Sequence, residues 1–401
     1  MDAFSHVLLV LGGLLVLGGL SARLAQRSIF SLAAFCVIAG LLLGPGGVGF
    51  LNVDPRGAFV RDVAQIALVV ILFRDGLEVE EEMLRGAWRL PLRKLVLAMP
   101  LTAGLIALAA RGLTDLSWTA CFLLGALLSP TDPVLSSSVV TNPRVPRLVR
   151  HSLNLESGLN DGLALPAVIV LLTALEPHGG HFDLARFLAE NVGLGAAWGL
   201  LVGAVASIGL PRDRQLPGVP AHGTTLFGLG VALGAYGLAT TVPPHANGFI
   251  AVFVAAITLG VLRPALRPRF ETRADELVEL VKVVVFVVFG ALLTLDGLFG
   301  DGWAAVAIVL FTLVVARSVA VGVALLGTRT PPLLVGFMAF FGPKGIATAT
   351  FSLLVLADNV GPGERIFHIA ALTVVCSVLL HGLSDTPASE WLARRLEGEP
   401  V

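Results

Sequence analysis

Two acidic residues five apart, Glu156 and Asp161, stand in the run Glu156-Ser157-Gly158-Leu159-Asn160-Asp161-Gly162, and apolar sequence follows at once. A charge carried to the middle of a bilayer costs about 2.5–3.5 kcal/mol on insertion scales, so the two together cost on the order of 6 kcal/mol. Some partner or function must offset that. Acids at the start of a span would be inexpensive if they stayed at the interface, where they face the positive end of a helix dipole. Arg150 and His151 mark that interface. Asp161 lies about 15 Å deeper along a helix, so the interfacial reading suits Glu156 better than Asp161. Arg317, midway along another apolar run, carries a similar penalty and is the best partner for Glu156, because buried charges are paired. The sequence offers Asp161 no obvious cation, and it lies beside Thr131 and Asp132 if their spans pack as neighbours. A buried carboxylate among hydroxyl and carbonyl oxygens satisfies itself by taking a proton or by holding a small hard cation. Competition between those two states is exchange of an ion for a proton.

The elements that must position these groups are apolar spans, and two of them are interrupted. The span over 117–140 carries Ser129-Pro130-Thr131-Asp132-Pro133 at mid-depth, and that over 331–356 carries Gly342-Pro343-Lys344-Gly345. Proline removes a backbone donor and clashes with the preceding turn, so both spans should unwind where lipid cannot satisfy the freed groups. A simple proline kink explains either break alone. The pair says more: the two are the fifth and twelfth spans, an odd difference, so they cross in opposite directions. Corresponding breaks in oppositely directed spans point to inverted repeats with a substrate site at their interface. Asp132 before Pro133 reads as an N-cap with proline at the first helical position, facing the positive end of a half-helix. Lys344 closes the first half of its own span, where a cation offsets the negative end. If the breaks cross, Asp132 serves two converging N-termini and Lys344 two converging C-termini.

Composition agrees with this setting. Of 401 residues, 56% are hydrophobic and 14% charged, against roughly 25% charged in soluble proteins. That excludes an ordinary soluble enzyme and predicts an all-α polytopic membrane protein with about 13 spans. A net charge of -1 leaves no nucleic-acid footprint. Cys36, Cys121 and Cys376 lie in apolar runs and suggest neither disulfides nor a metal knot. Sorting the 27 basic residues by alternate loops puts 18 on one side, including Lys94, and 5 on the other. The positive-inside rule then places the N-terminus outside and the C-terminus in the cytoplasm. Arg23 and Arg27 follow the first apolar run, the reverse of a signal peptide, so that run is expected to be retained. The expected organisation is a membrane domain over 1–384, with repeats over roughly 1–175 and 223–384, and a short cytoplasmic tail over 385–401. Glu78, Glu80, Glu81 and Glu82 read as a solvated face in a cytoplasmic loop, Arg74 and Lys282 as snorkelling residues near helix ends, and His381 as a packed or interfacial histidine.

Together these motifs resemble the monovalent cation/proton antiporter family that includes the NhaP-type bacterial antiporters and the sodium/hydrogen exchangers. The likeness runs over essentially the whole chain. It implies that Asp161 is the cation- and proton-carrying carboxylate, that Thr131, Asp132, Ser157 and Glu156 complete or support the ion shell, that Asn160 organises it, and that Arg317 pairs with Glu156. Na+ would be held at Asp161, Ser157 and Thr131, as transported substrate with no resident cofactor. One titrating acid in the Asn160-Asp161 pair implies one cation per proton, an electroneutral cycle in the plasma or inner membrane, serving pH homeostasis and run by a homodimer. Position 344 is Lys where the family more often has Arg, which keeps the charge but loses the planar fork. The ranked expectation is a Na+ or Li+/proton antiporter, then a K+/proton antiporter on the same site. A passive channel is more remote. So is an intramembrane aspartyl protease, suggested by Gly158-Leu159-Asn160-Asp161 but opposed by Asn160 and by Gly237 after Tyr236.

Overall fold

A computed structural model describes residues 9–10, 12–13, 15–16, 32–84, 89–132, 139–140, 142–176, 183–210 and 221–397. Its helices are α1 (Leu32–Leu43), α2 (Ala58–Leu84), α3 (Leu90–Leu113), α4 (Trp118–Leu128), α5 (Arg147–Leu175), α6 (Leu184–Ile208), α7 (Ala221–Thr241), α8 (Gly248–Leu262), α9 (Leu266–Ala291), α10 (Trp303–Ala324), α11 (Pro332–Phe340), α12 (Ile346–Ala357) and α13 (Gly363–Glu397). Among the described residues, α3, α5, α6, Gly223–Thr241 of α7, α10 and α13 are long and apolar enough to cross a membrane. Many large apolar side chains point outward, among them Leu108, Leu200, Ile208, Leu310 and Val314. Outward apolar faces repeated along successive long helices are what lipid selects. The protein is an all-α polytopic membrane protein.

The chain divides into two compact units: Met1–Ala64 with Leu90–Ser157 and Lys282–Val401, and Gln65–Arg89 with Gly158–Val281. In the second unit α6 lies close against α8 through glycines at every fourth position. A Cβ at Gly199 would stand 2.6 Å from the Ala251 carbonyl oxygen, and one at Gly203 2.6 Å from that of Ala255. Small residues let the two backbones approach, which replaces the hydrophobic drive that lipid removes. Asn247 sets the start of α8, its Oδ1 accepting the N–H groups of Phe249 at 3.0 Å and Ile250 at 3.2 Å. In the first unit Ser117 does the same for α4, its Oγ accepting the Ala120 N–H at 3.3 Å.

Two expectations meet differences here. The acidic run at Glu78–Glu82 does not form a loop: α2 continues through Leu84, as glutamate's good helix propensity allows. The boundary expected at residue 384 falls inside a helix, because α13 runs on to Glu397, and Leu392 enters an apolar cluster with Val139, Val149, Leu325 and Phe337. Most of the first expected span, the residues from Pro133 to Ser138 and the side chain of Ser157 lie outside the described residues.

Overpacking a tight backbone contact costs about 1–3 kcal/mol. Gly199→Leu should therefore lower the thermal unfolding midpoint in detergent, whereas Gly234→Ala, with nothing within 4 Å of its added Cβ, should leave it unchanged or raise it.

Candidate functional site

The two interruptions meet in the first unit. α4 stops at Leu128, and the backbone from Phe341 to Gly345 is unwound between α11 and α12. The Asp132 N–H donates to the Pro343 carbonyl at 2.9 Å, and the Thr348 hydroxyl donates to the Leu127 carbonyl at 3.0 Å. Lys344, almost wholly buried, donates its Nζ to the carbonyls of Ser129 at 3.2 Å and Pro130 at 3.1 Å. In the other direction Asp132 Oδ2 accepts the Ile346 N–H at 3.2 Å. A cation thus sits at the carbonyl end of α4 and a carboxylate at the amide end of α12, each against the dipole it offsets. Thr131 is buried beside Asp132 in sequence. Glycine is required at both ends of the connection: a Cβ at Gly345 would strike the Asp132 carboxylate, and one at Gly342 the Arg317 guanidinium.

Glu156, 5% exposed, is held from two sides. Its Oε1 accepts from Arg317 NH1 at 2.8 Å and its Oε2 from Arg317 NH2 at 3.1 Å, a planar fork on a carboxylate. Its Oε2 also meets Lys94 Nζ at 2.5 Å. Lys94 donates further to Ser152 Oγ at 3.2 Å, one turn back along α5. Arg317 NH2 reaches the carbonyls of Met338 and Phe341, each at 3.3 Å, at the end of α11. Both cations are delivered by π-helical turns, Lys94–Ala98 within α3 and Phe311–Ala316 immediately before Arg317 in α10. Such turns are rare and cluster at functional positions, because one extra residue re-aims the side chains that follow.

Lys94 is a correction to the sequence reading, which counted it among interfacial basic residues: it is 0% exposed. Its neighbour Arg93 is only half-buried and donates to the Leu326 carbonyl. Two adjacent basic residues opening an apolar run look alike in sequence, and only the turn between them separates water from core. Asn160 and Asp161 lie farther along α5 in the second unit, at 1% and 7% exposure. Five residues on a helix amount to about 140° of rotation, so Glu156 and Asp161 occupy different faces of α5. The second unit also buries Asp75, which the sequence reading passed over; Arg74, read there as snorkelling, contacts it at 3.2 Å.

A family profile described as "Sodium/hydrogen exchanger, transmembrane" matches residues 12–391. The chain belongs to the sodium/hydrogen exchanger family. Among its relatives, the K(+)/H(+) antiporter NhaP of Alkalimonas amylolytica is 27% identical over 98% of this chain and 68% of that one. The Probable Na(+)/H(+) antiporter 2 of Methanocaldococcus jannaschii is 24% identical over 97% of this chain and 99% of its own length. Among solved structures, the sodium proton antiporter MjNhaP1 of Methanocaldococcus jannaschii at pH 8 superposes with a TM-score of 0.81 at 20% identity, covering 99% of this chain and 100% of that one. The family member described here therefore has that antiporter's fold.

Removing one partner of a buried ion pair costs about 3–5 kcal/mol, because the other is left uncompensated. Glu156→Ala, which leaves two buried cations facing each other, should lower the thermal midpoint most and Arg317→Ala next. Lys94→Met should lower it least, since it leaves a neutral Glu156–Arg317 pair. Thermal unfolding of the purified variants in detergent gives this order directly.

Proposed function

We propose that the protein exchanges a monovalent cation for H+ across a membrane, with Asp161 as the carboxylate that holds either ion in turn. Membership of the sodium/hydrogen exchanger family carries this reading. The burial of Asp161 and Asn160 on an apolar helix supports it, since a carboxylate kept inside a membrane at that cost marks an ion or proton path. Thr131, Asp132 and Ser157, with Asn160 in support, would complete the oxygen shell around Na+ or Li+, hard cations that favour such ligands. Glu156 and Arg317 stabilise the bundle and do not bind the travelling ion. Asp132 and Lys344 keep the unwound segments neutralised. A bundle holding α4, α5, α10, α11 and α12 would rock against the remaining helices, which would also form a homodimer interface, with the N-terminus outside and the C-terminus in the cytoplasm.

With Asn160 rather than a second acid beside Asp161, one cation moves per proton and the cycle is electroneutral. A K+/H+ reading is the second one, favoured by the relative named as a K(+)/H(+) antiporter, which aligns with nearly the whole chain. A slightly wider shell of the same oxygens would serve the larger ion.

In everted vesicles, NaCl or LiCl should dissipate a proton gradient through the wild-type protein, without dependence on an imposed membrane potential. Asp161→Asn should abolish that flux while the protein remains folded. Retained flux in Asp161→Asn would remove this residue from the transport step, and a response to KCl alone would select the second reading.

A further inference from the structure

α13 carries Thr373, Ser377, His381, Asp385 and Ser389 at every fourth position, and all five are buried. Apolar helices do not bury a polar ladder without use for it, since each unsatisfied group costs several kcal/mol in lipid. Two members of the ladder reach the unwound connection between α11 and α12. Ser377 Oγ accepts the Lys344 backbone N–H at 2.7 Å. His381 Nε2 lies 3.1 Å from the carbonyl of Phe340, the last residue of α11. The pair thus takes up one donor, the Lys344 N–H, and gives a second hydrogen bond to one acceptor, the Phe340 carbonyl, which otherwise has the Gly342 N–H at 3.0 Å. A third member, Asp385, accepts the Val139 N–H at 3.1 Å, beyond the break in the other interrupted span.

The partners of the imidazole fix which nitrogen faces the break with a proton. Nδ1 has two neighbours: Ser377 Oγ at 3.2 Å and the Ser377 carbonyl at 2.9 Å. In the neutral ring Nδ1 accepts from the Ser377 hydroxyl, and Nε2–H donates to Phe340. In the charged ring Nδ1–H donates to the Ser377 carbonyl, and Nε2–H still donates to Phe340. The other neutral tautomer would set a lone pair on Nε2 against the Phe340 oxygen. The contact with the break is therefore the same in both protonation states. The charged groups near the ring are Lys344 and Arg317, both cationic, with Asp385 one turn along the same helix.

We propose that Ser377 and His381 are positioning residues of the transport cycle. By replacing the hydrogen bonds that α11 and α12 lose between them, they hold the 341–345 backbone. That backbone in turn fixes Asp132, through the Pro343 carbonyl and the Ile346 N–H. The ring acts through hydrogen bonding and carries no proton across. This inference rests on the exchange activity proposed above, so its test has one arm that needs transport and one that does not.

In proteoliposomes, His381→Leu and Ser377→Ala should each raise the KM for the cation by about tenfold, the first by leaving the Phe340 carbonyl to the Gly342 N–H alone and the second by leaving the Lys344 N–H without its acceptor. His381→Gln, which can still donate an N–H to Phe340, should stay within about twofold of wild type with the same pH profile. A wild-type KM in the Leu and Ala variants would overturn the proposal, as would a Gln variant no better than Leu. A shifted pH profile in His381→Gln would overturn it in favour of a titrating ring. The second arm uses nitrogen-15 histidine spectra of the purified wild-type protein, with the His381 signal assigned by its loss in His381→Gln. Nε2 should carry a proton between pH 6 and pH 8, and an unprotonated Nε2 there refutes the assignment whether or not any cation is transported. Absence of exchange in the wild type, with Nε2 protonated, would instead count against the functional reading alone.

Discussion

Backbone groups that leave a helix inside a membrane must find partners in the protein, because lipid supplies none. The crossing of the two interrupted spans is organised around this requirement. Each break answers part of the other's need: Asp132 gives its N–H to Pro343 and takes that of Ile346, and Lys344 covers the carbonyls of Ser129 and Pro130. What the two segments cannot supply to each other comes from α13, through Ser377 and His381. The glycines at 342 and 345 follow from the same requirement. A side chain there would displace Arg317 or Asp132 from positions that the unwound backbone depends on.

Buried charge in the first unit is distributed by the same logic. Among the described residues, the buried cations Lys94, Arg317 and Lys344 are matched in number by the buried acids Glu156, Asp132 and Asp385. Carbonyl oxygens at helix ends add further counter-charge. Arg317 reaches those of Met338 and Phe341, and Lys344 those of Ser129 and Pro130. Unpaired carbonyls at a helix C-terminus carry about half a negative charge between them, which makes them usable counter-charge where water is absent. The two cation types are matched to their tasks. The planar guanidinium spans both oxygens of Glu156, and the compact ammonium of Lys344 fits between two successive carbonyls.

Much of this was legible in the residues. Proline and glycine clusters inside apolar runs, each with one charge, are visible without coordinates, and so is the need of Arg317 and Glu156 for each other, because each alone would be prohibitive. Lys94 was not legible. Next to Arg93 at the start of a span it looks interfacial, and the π-helical turn that sends it inward has no sequence signature. Asp75 was hidden by its neighbour Arg74, since an adjacent acid and base read as one polar point near a helix end. The extension of α13 was missed because residues 385–397 mix charges with apolar positions, and such a pattern reveals an amphipathic helix only once its packing partners are known. His381 was legible as a residue and not as a contact. A histidine's role depends on what faces its two nitrogens, and here the group facing Nε2 lies 41 residues away in sequence.

α5 carries two buried acids with different obligations, and its geometry keeps them apart. Glu156 is fixed by three contacts with two cations, and Ser152, one turn earlier on the same face, is tied to Lys94. Together they set the rotation of α5 at that level. Asp161 follows at about 140° around the helix and about 7.5 Å along it. The angle keeps Asp161 off the face on which Glu156 is held. Were the two acids four residues apart, both would face Lys94 and Arg317, and the second acid would be neutralised by fixed cations as the first is. A spacing of five leaves Glu156 on the face that its two cations occupy and turns Asp161 away from it, on a helix whose orientation the first acid sets.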